Sequence, residues 1–146
     1  MSDSTPVSPG VKALRYAENE LGVHSVHGNA LEARDRLDTV LTDLASARDK
    51  KREVEYILQD RELLLVGEER SKHSDMSAAA MDKHMKVVLA NDDEVRQLRE
   101  QHIKIVGDIE GLEYDKAMAE TDIKIAVARM YELGGYFEYL AAIKKT

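Results

Sequence analysis

Two stretches of this chain carry apolar residues at alternating spacings of three and four, and few folds accommodate that pattern. The first runs Ala30, Ala33, Leu37, Val40, Leu44, Ala47, Lys51, Val54, Leu58, Arg61, Leu65, with nine of the eleven positions apolar. The second runs Val95, Leu98, His102, Ile105, Ile109, Leu112, Lys116, Ala119, Ile123, Ala126, Met130, Leu133, Phe137, Leu140, with twelve of fourteen apolar. A 3–4 repeat lays a single apolar seam along a helix, and that seam must be covered by another helix. A helix over 30–66 would be about 55 Å long at 1.5 Å per residue. Two seams in one chain, separated by residues 67–91, predict an all-α fold. Its form is a long antiparallel helical hairpin, coiled-coil-like, with short helices at the N-terminus and at the tip.

Composition agrees with long solvated helices. Charged residues make up 34% and hydrophobic residues 43%, and both prolines precede position 10. Aromatics are 5% with no Trp, too few for a large globular core. The chain has no Cys, which removes disulfides, thiolate nucleophiles and Cys-zinc sites and fits a reducing compartment. No apolar run reaches the roughly 18 residues that span a bilayer. Residues 1–8 lack a basic segment and an apolar segment, so they predict a disordered lead rather than a signal peptide. The expected location is the cytoplasm.

The remaining residues, 9–146, predict a single helical hairpin domain with helices at about 9–22, 30–66, 76–90, 92–133 and 136–144. Pro9 suits a first helical turn, and Gly22 suits a stop. Residues 22–29, GVHSVHGN, predict a linker, with Asn29 as the cap of the next helix. Gly67 and the polar run after it predict the end of that helix. Asp75 or Ser77 can cap the tip helix, and Asn91, Asp92 and Asp93 break and re-cap the chain. Gly134-Gly135 predicts a break or kink, since each Gly costs about 1 kcal/mol against Ala inside a helix.

Flanking charges select a register. If paired residue numbers sum to about 154–158, Arg36 meets Asp122, Lys50 meets Asp108, Arg34 meets Glu120 and Glu55 meets Arg99, with Asp43 against Asp115 as the one conflict. In this register residues 131–144 overhang. The first helix is then their natural cover, with Leu14, Ala17 and Leu21 over Leu133, Phe137 and Leu140.

Net charge is −7, and most of it lies in residues 92–122, where ten Asp and Glu face four Lys and Arg. An acidic balance argues against nucleic-acid binding, which needs surplus Lys and Arg to neutralise phosphate. The best basic cluster, Arg48, Lys50, Lys51 and Arg52, is interleaved with Asp49, Glu53 and Glu55. His24 and His27 have metal-like spacing in the expected linker, and His73 and His84 flank the tip near Asp75 and Asp82. All four read as solvated histidines rather than ligands. No Glu is followed by His three residues later, which disfavours a di-iron bundle site. The polar seam residues Lys51, Arg61, His102 and Lys116 read as packed stems with snorkelling heads. No phosphate loop, Ser-His-Asp set or paired-carboxylate cleft is visible. The expectation is a non-enzyme with no catalytic residues, metal or cofactor.

Residues 111–145, GLEYDKAMAETDIKIAVARMYELGGYFEYLAAIKK, resemble the C-terminal part of small helical proteins encoded by bacteriophages near their recombination or replication genes. The resemblance implies a phage accessory protein acting in the host cytoplasm and carries over no site residues. A phage Gam-like protein, a helical binder of DNA ends acting as a dimer, is a neighbouring idea. In that alternative Arg48, Lys50, Lys51 and Arg52 are the contacts.

The expected function is therefore protein interaction or assembly, with a protein partner and a possible homodimer. Two surfaces are candidates for docking. One is the tip, with Met76, Met81, Met85 and Lys86, where methionines offer a soft apolar stripe. The other is the C-terminal cluster of Tyr131, Tyr136, Phe137 and Tyr139, since Tyr is enriched at interface hot spots. The tip is the favoured surface, because the first helix is expected to cover the aromatic cluster.

Overall fold

The computed structural model describes residues 8–19 and 22–144; the side chains at 13, 14, 17–19, 23, 24, 140 and 144 lie outside that description. Four helices follow in order: α1 (Pro9–Asn19), α2 (Val23–Lys72), α3 (Ala78–Asn91) and α4 (Asp93–Lys144). No strand occurs among the described residues. The fold is all-α, with α2 and α4 packed together as an antiparallel helical hairpin. Among the described residues, no helix is long and apolar enough to cross a membrane.

Every one of the eleven α2 seam positions is buried or half-buried, whereas nearly all the residues between them are exposed. On α4 the seam from Val95 to Ala126 is covered in the same way, and Leu133 is buried; Met130 and Phe137 are exposed. Most seam residues are only half-buried because one neighbouring helix covers a seam from one side.

The glycines inside the long seams do not stop the helices, whereas Gly22 does mark a boundary. The expected linker over 22–29 is helical from Val23 onward, and Gly28 lies inside the helix. Gly22 takes φ +62°, a conformation that favours glycine, and α2 starts at the next residue. Gly67 likewise sits within α2, and Gly134-Gly135 within α4, with no break. An interior glycine costs about 1 kcal/mol, less than the roughly 1.5–3 kcal/mol that fully burying one apolar side chain contributes. Val26, Leu65 and Leu133, each close to one of these glycines, are all buried. Caps explain the real boundaries. Ser8 accepts from the Val11 N–H at 3.3 Å at the start of α1, with Pro9 in its first turn. Ser77, one of the two expected caps, accepts from the Ala80 N–H at 3.2 Å at the start of α3.

The described residues pack as two compact units. One is drawn from Met1–Val40 and Asp115–Thr146, the other is Leu41–Tyr114. In the first unit Arg36 pairs with Asp122 at 2.8 Å, as the register required. Tyr16 of α1 lies against Tyr136 of α4 with ring centroids 5.1 Å apart. The first helix therefore does reach the overhang. The expected cover by Leu14, Ala17 and Leu21, and Leu140 beneath it, lies outside the described residues.

In the second unit Leu65, Met81, Met85 and Val95 form the buried cluster, with Leu58, Val66, Met76, Val88 and Leu89 packed around it. Arg48 pairs with Glu113, Glu62 with Arg99 and Glu55 with His102, so Glu55 and Arg99 each find a different partner from the one expected. Neither the Lys50–Asp108 nor the Arg34–Glu120 pair closes to within 4.0 Å among the described residues. The observed pairs lie within a few residues of the expected register, and their role is to specify it rather than to stabilise it.

Asp92 ties three helices of this unit together. Its backbone N–H donates to Val88 O at the end of α3. Its side chain accepts from the Val95 N–H at 2.9 Å and so caps α4. The same carboxylate accepts from Arg61 of α2 at 2.9 Å, and Arg61 also reaches Glu94 at 3.1 Å. The Arg61 bond, followed by the Val95 N–H, holds the Asp92 carboxyl below the usual aspartate range. A carboxyl depressed in this way stabilises the fold above its unfolded value and loses that contribution as pH falls through its folded value. Asp92→Ala is expected to lower the melting temperature by several degrees at neutral pH, with the gap to wild type shrinking below the normal aspartate range. Asp93→Ala, at an exposed neighbour, is the control. Equal melting temperatures for both variants would rule out the junction.

Candidate functional site

The two ends of the α4 seam differ in what they expose. At the tip, Met81 and Met85 are 8% and 7% exposed and belong to the buried cluster with Leu65 and Val95. Met76 is half-buried against them, and only Lys86 of the four expected tip residues is exposed. The methionine stripe is thus the inner face of α3. A 14-residue amphipathic helix folded across α2 and α4 has to bury its apolar side, and the methionines occupy that side.

The aromatic end is more open. Tyr131 is 79% exposed and Tyr139 62%, Phe137 is exposed, and Tyr136 is half-buried between Tyr16 and Phe137. Among the described side chains, α1 meets the cluster through Tyr16, which lies against Tyr136. Val127, Met130 and Ile125 add exposed apolar area on the same stretch of α4.

The tip does bring together three side chains that the sequence left apart. Glu69, on the last turns of α2, is 14% exposed at its side chain. His84 of α3 donates from Nε2 to Glu69 Oε2 at 2.7 Å, the ionised carboxylate being an acceptor only. His73, just past the end of α2, sets its Nε2 3.5 Å from the same oxygen. The two imidazole rings meet edge to face with centroids 4.9 Å apart. The hydrogen bond from His84 is the main cause holding the Glu69 carboxyl below its ordinary range. Among the described residues, this is the one group of three His, Asp or Glu side chains whose ligand atoms converge, all within 4.8 Å. Glu69 and His73 are four apart on one helical face, which is a legible signal. His84 joins them only because α3 folds back.

The other candidates disperse. His27 is exposed on α2, and the His24 side chain lies outside the described residues. In the basic cluster Arg48 pairs with Glu113, Lys51 with Glu55 and Arg52 with Asp49, and Lys50 alone of the four has no ion pair among the described residues. Cations already matched by carboxylates have little to offer a phosphate backbone. The polar seam residues Lys51, Arg61, His102 and Lys116 each meet a carboxylate at the seam's edge. The clefts along α2 and α4 are shallow and charged; one of about 310 Å³ surrounds the Arg36–Asp122 pair.

No protein-family model, no curated protein and no solved structure matches this chain.

Proposed function

We propose that the protein is a non-enzymatic interaction and assembly protein that associates through the aromatic end of α4, and that the surface it meets there is a second copy of the same chain. Exposed aromatic side chains carry this reading: Tyr131 is 79% exposed, Tyr139 62% and Phe137 40%. Tyr131, Phe137 and Tyr139 are the residue types that anchor interfaces, and they lie in one unit of the molecule.

Charge favours a like copy as the occupant. Residues 123–146 carry four Lys and Arg against two Asp and Glu, whereas residues 92–122 carry ten acidic against four basic side chains. A second chain brings an acidic segment to the one stretch with a basic surplus. The resemblance of residues 111–145 to phage-encoded helical proteins falls on this same stretch and fits an accessory role in assembly.

Sedimentation equilibrium is expected to give a dimer for the wild type. A Tyr131→Asp, Tyr139→Asp variant is expected to be monomeric with unchanged helicity by circular dichroism, because both side chains are exposed. A monomeric wild type, or a variant that associates equally well, would overturn the proposal.

A further inference from the structure

We propose that Glu69, His73 and His84 form a binding site for a divalent transition-metal ion of the zinc type, which ties the end of α2 to α3. Two imidazoles and one carboxylate are a ligand set that suits zinc and its neighbours, whereas calcium and magnesium require oxygen donors.

The distances suit the ion. Zinc holds imidazole nitrogen at about 2.0–2.1 Å and carboxylate oxygen at about 2.0–2.2 Å in tetrahedral geometry, which spaces adjacent ligand atoms about 3.4 Å apart. His73 Nε2 already sits 3.5 Å from Glu69 Oε2. His84 Nε2 is at 2.7 Å from the same oxygen, and no two of the three ligand atoms are more than 4.8 Å apart. Shifts of an ångström or so therefore convert the hydrogen-bonded group into a coordinating one. The contact given up is the His84–Glu69 hydrogen bond; the Nε2 proton leaves to solvent and neutral His84 keeps its proton on Nδ1, so zinc binding releases or relocates a proton.

The backbone holds the ligands in place. The His73 N–H donates to Glu69 O at 3.0 Å, which continues the helical turn and keeps the two side chains on one face. His84 precedes Met85, which is anchored in the buried cluster. Lys72 Nζ lies 3.6 Å from Glu69 Oε1 and is largely exposed, so it can withdraw as the ion arrives. Three protein ligands leave one position open, and both histidines are partly exposed. His73 also lines a groove of about 460 Å³ with Arg70, Met76 and Asp82, through which water or a small anion can reach the ion.

The simpler reading of the same geometry is a carboxylate bridging two histidines with no metal at all. The two are separated by titrating the chelator-treated full-length chain with zinc chloride, read by calorimetry and by melting temperature, with magnesium chloride as the control. The expected result is one zinc per chain, a rise in melting temperature and no response to magnesium. Cobalt(II) is expected to give the intense visible bands of a tetrahedral site. Glu69→Gln and His84→Ala are each expected to weaken zinc binding by more than about tenfold. The rise with zinc is compared within each variant, so a lower starting stability does not mask it. His27→Ala is expected to bind as the wild type does. No zinc response in the wild type, or an equal response in Glu69→Gln and His84→Ala, would overturn the site.

Discussion

Leu44→Asp is expected to abolish the cooperative thermal transition. Leu44 is 2% exposed, one of the two largest fully buried side chains among the described residues, the other being Val95. An aspartate there would be a charge without water and without a partner. Burying an unpaired charge costs several kcal/mol, and the whole stability of a domain this size is about 5–15 kcal/mol. Val95→Asp is expected to act in the same way, and Ile109→Asp more mildly because Ile109 is only half-buried. Lys50→Ala is the contrast. Lys50 is exposed and forms no ion pair among the described residues, so its removal is expected to leave the melting temperature almost unchanged. Thermal melts followed at a helical wavelength check all four. Similar transitions for Leu44→Asp and Lys50→Ala would refute the seam.

A Met81→Glu, Met85→Glu variant is expected to unfold the tip. Had these methionines formed a docking surface, two glutamates would have changed binding and left the fold intact. They pack instead against Leu65 and Val95 with Leu58, Val66 and Leu89 around them. The substitution places two carboxylates one helical turn apart in that cluster. Each carries a desolvation cost of a few kcal/mol or takes up a proton to avoid it. The expected result is a large fall in melting temperature and early amide exchange over α3 and the facing part of α2. Val87→Glu, on the exposed side of α3, is expected to change neither. A double variant as stable as the wild type would mean that α3 does not bury its methionine face.

Much of the fold was legible from residue spacing. All the α2 seam positions, from Ala30 to Leu65, are turned away from solvent as the 3–4 pattern requires. The Arg36–Asp122 pair follows from charge matching alone. Glycine misled where it was read as a break inside the long seams, whereas Gly22 does lie between α1 and α2. A propensity cost near 1 kcal/mol is small beside the burial of a neighbouring apolar side chain, so Gly28, Gly67 and Gly134-Gly135 are carried inside helices. The methionine stripe misled for a related reason. A soft apolar face is the same in sequence whether it meets a partner or the chain's own core.

The division is physical. Helical periodicity is a local property, set by 3.6 residues per turn, so the sequence alone determines that two long helices exist, which side of each is apolar and where charge would align them. Contacts between residues on different helices depend on how the chain folds back, which no local pattern encodes. Only the tertiary structure decided that α3 turns its methionines inward, that Asp92 joins α2, α3 and α4, that Tyr131 and Tyr139 stay uncovered, and that His84 closes on Glu69 and His73.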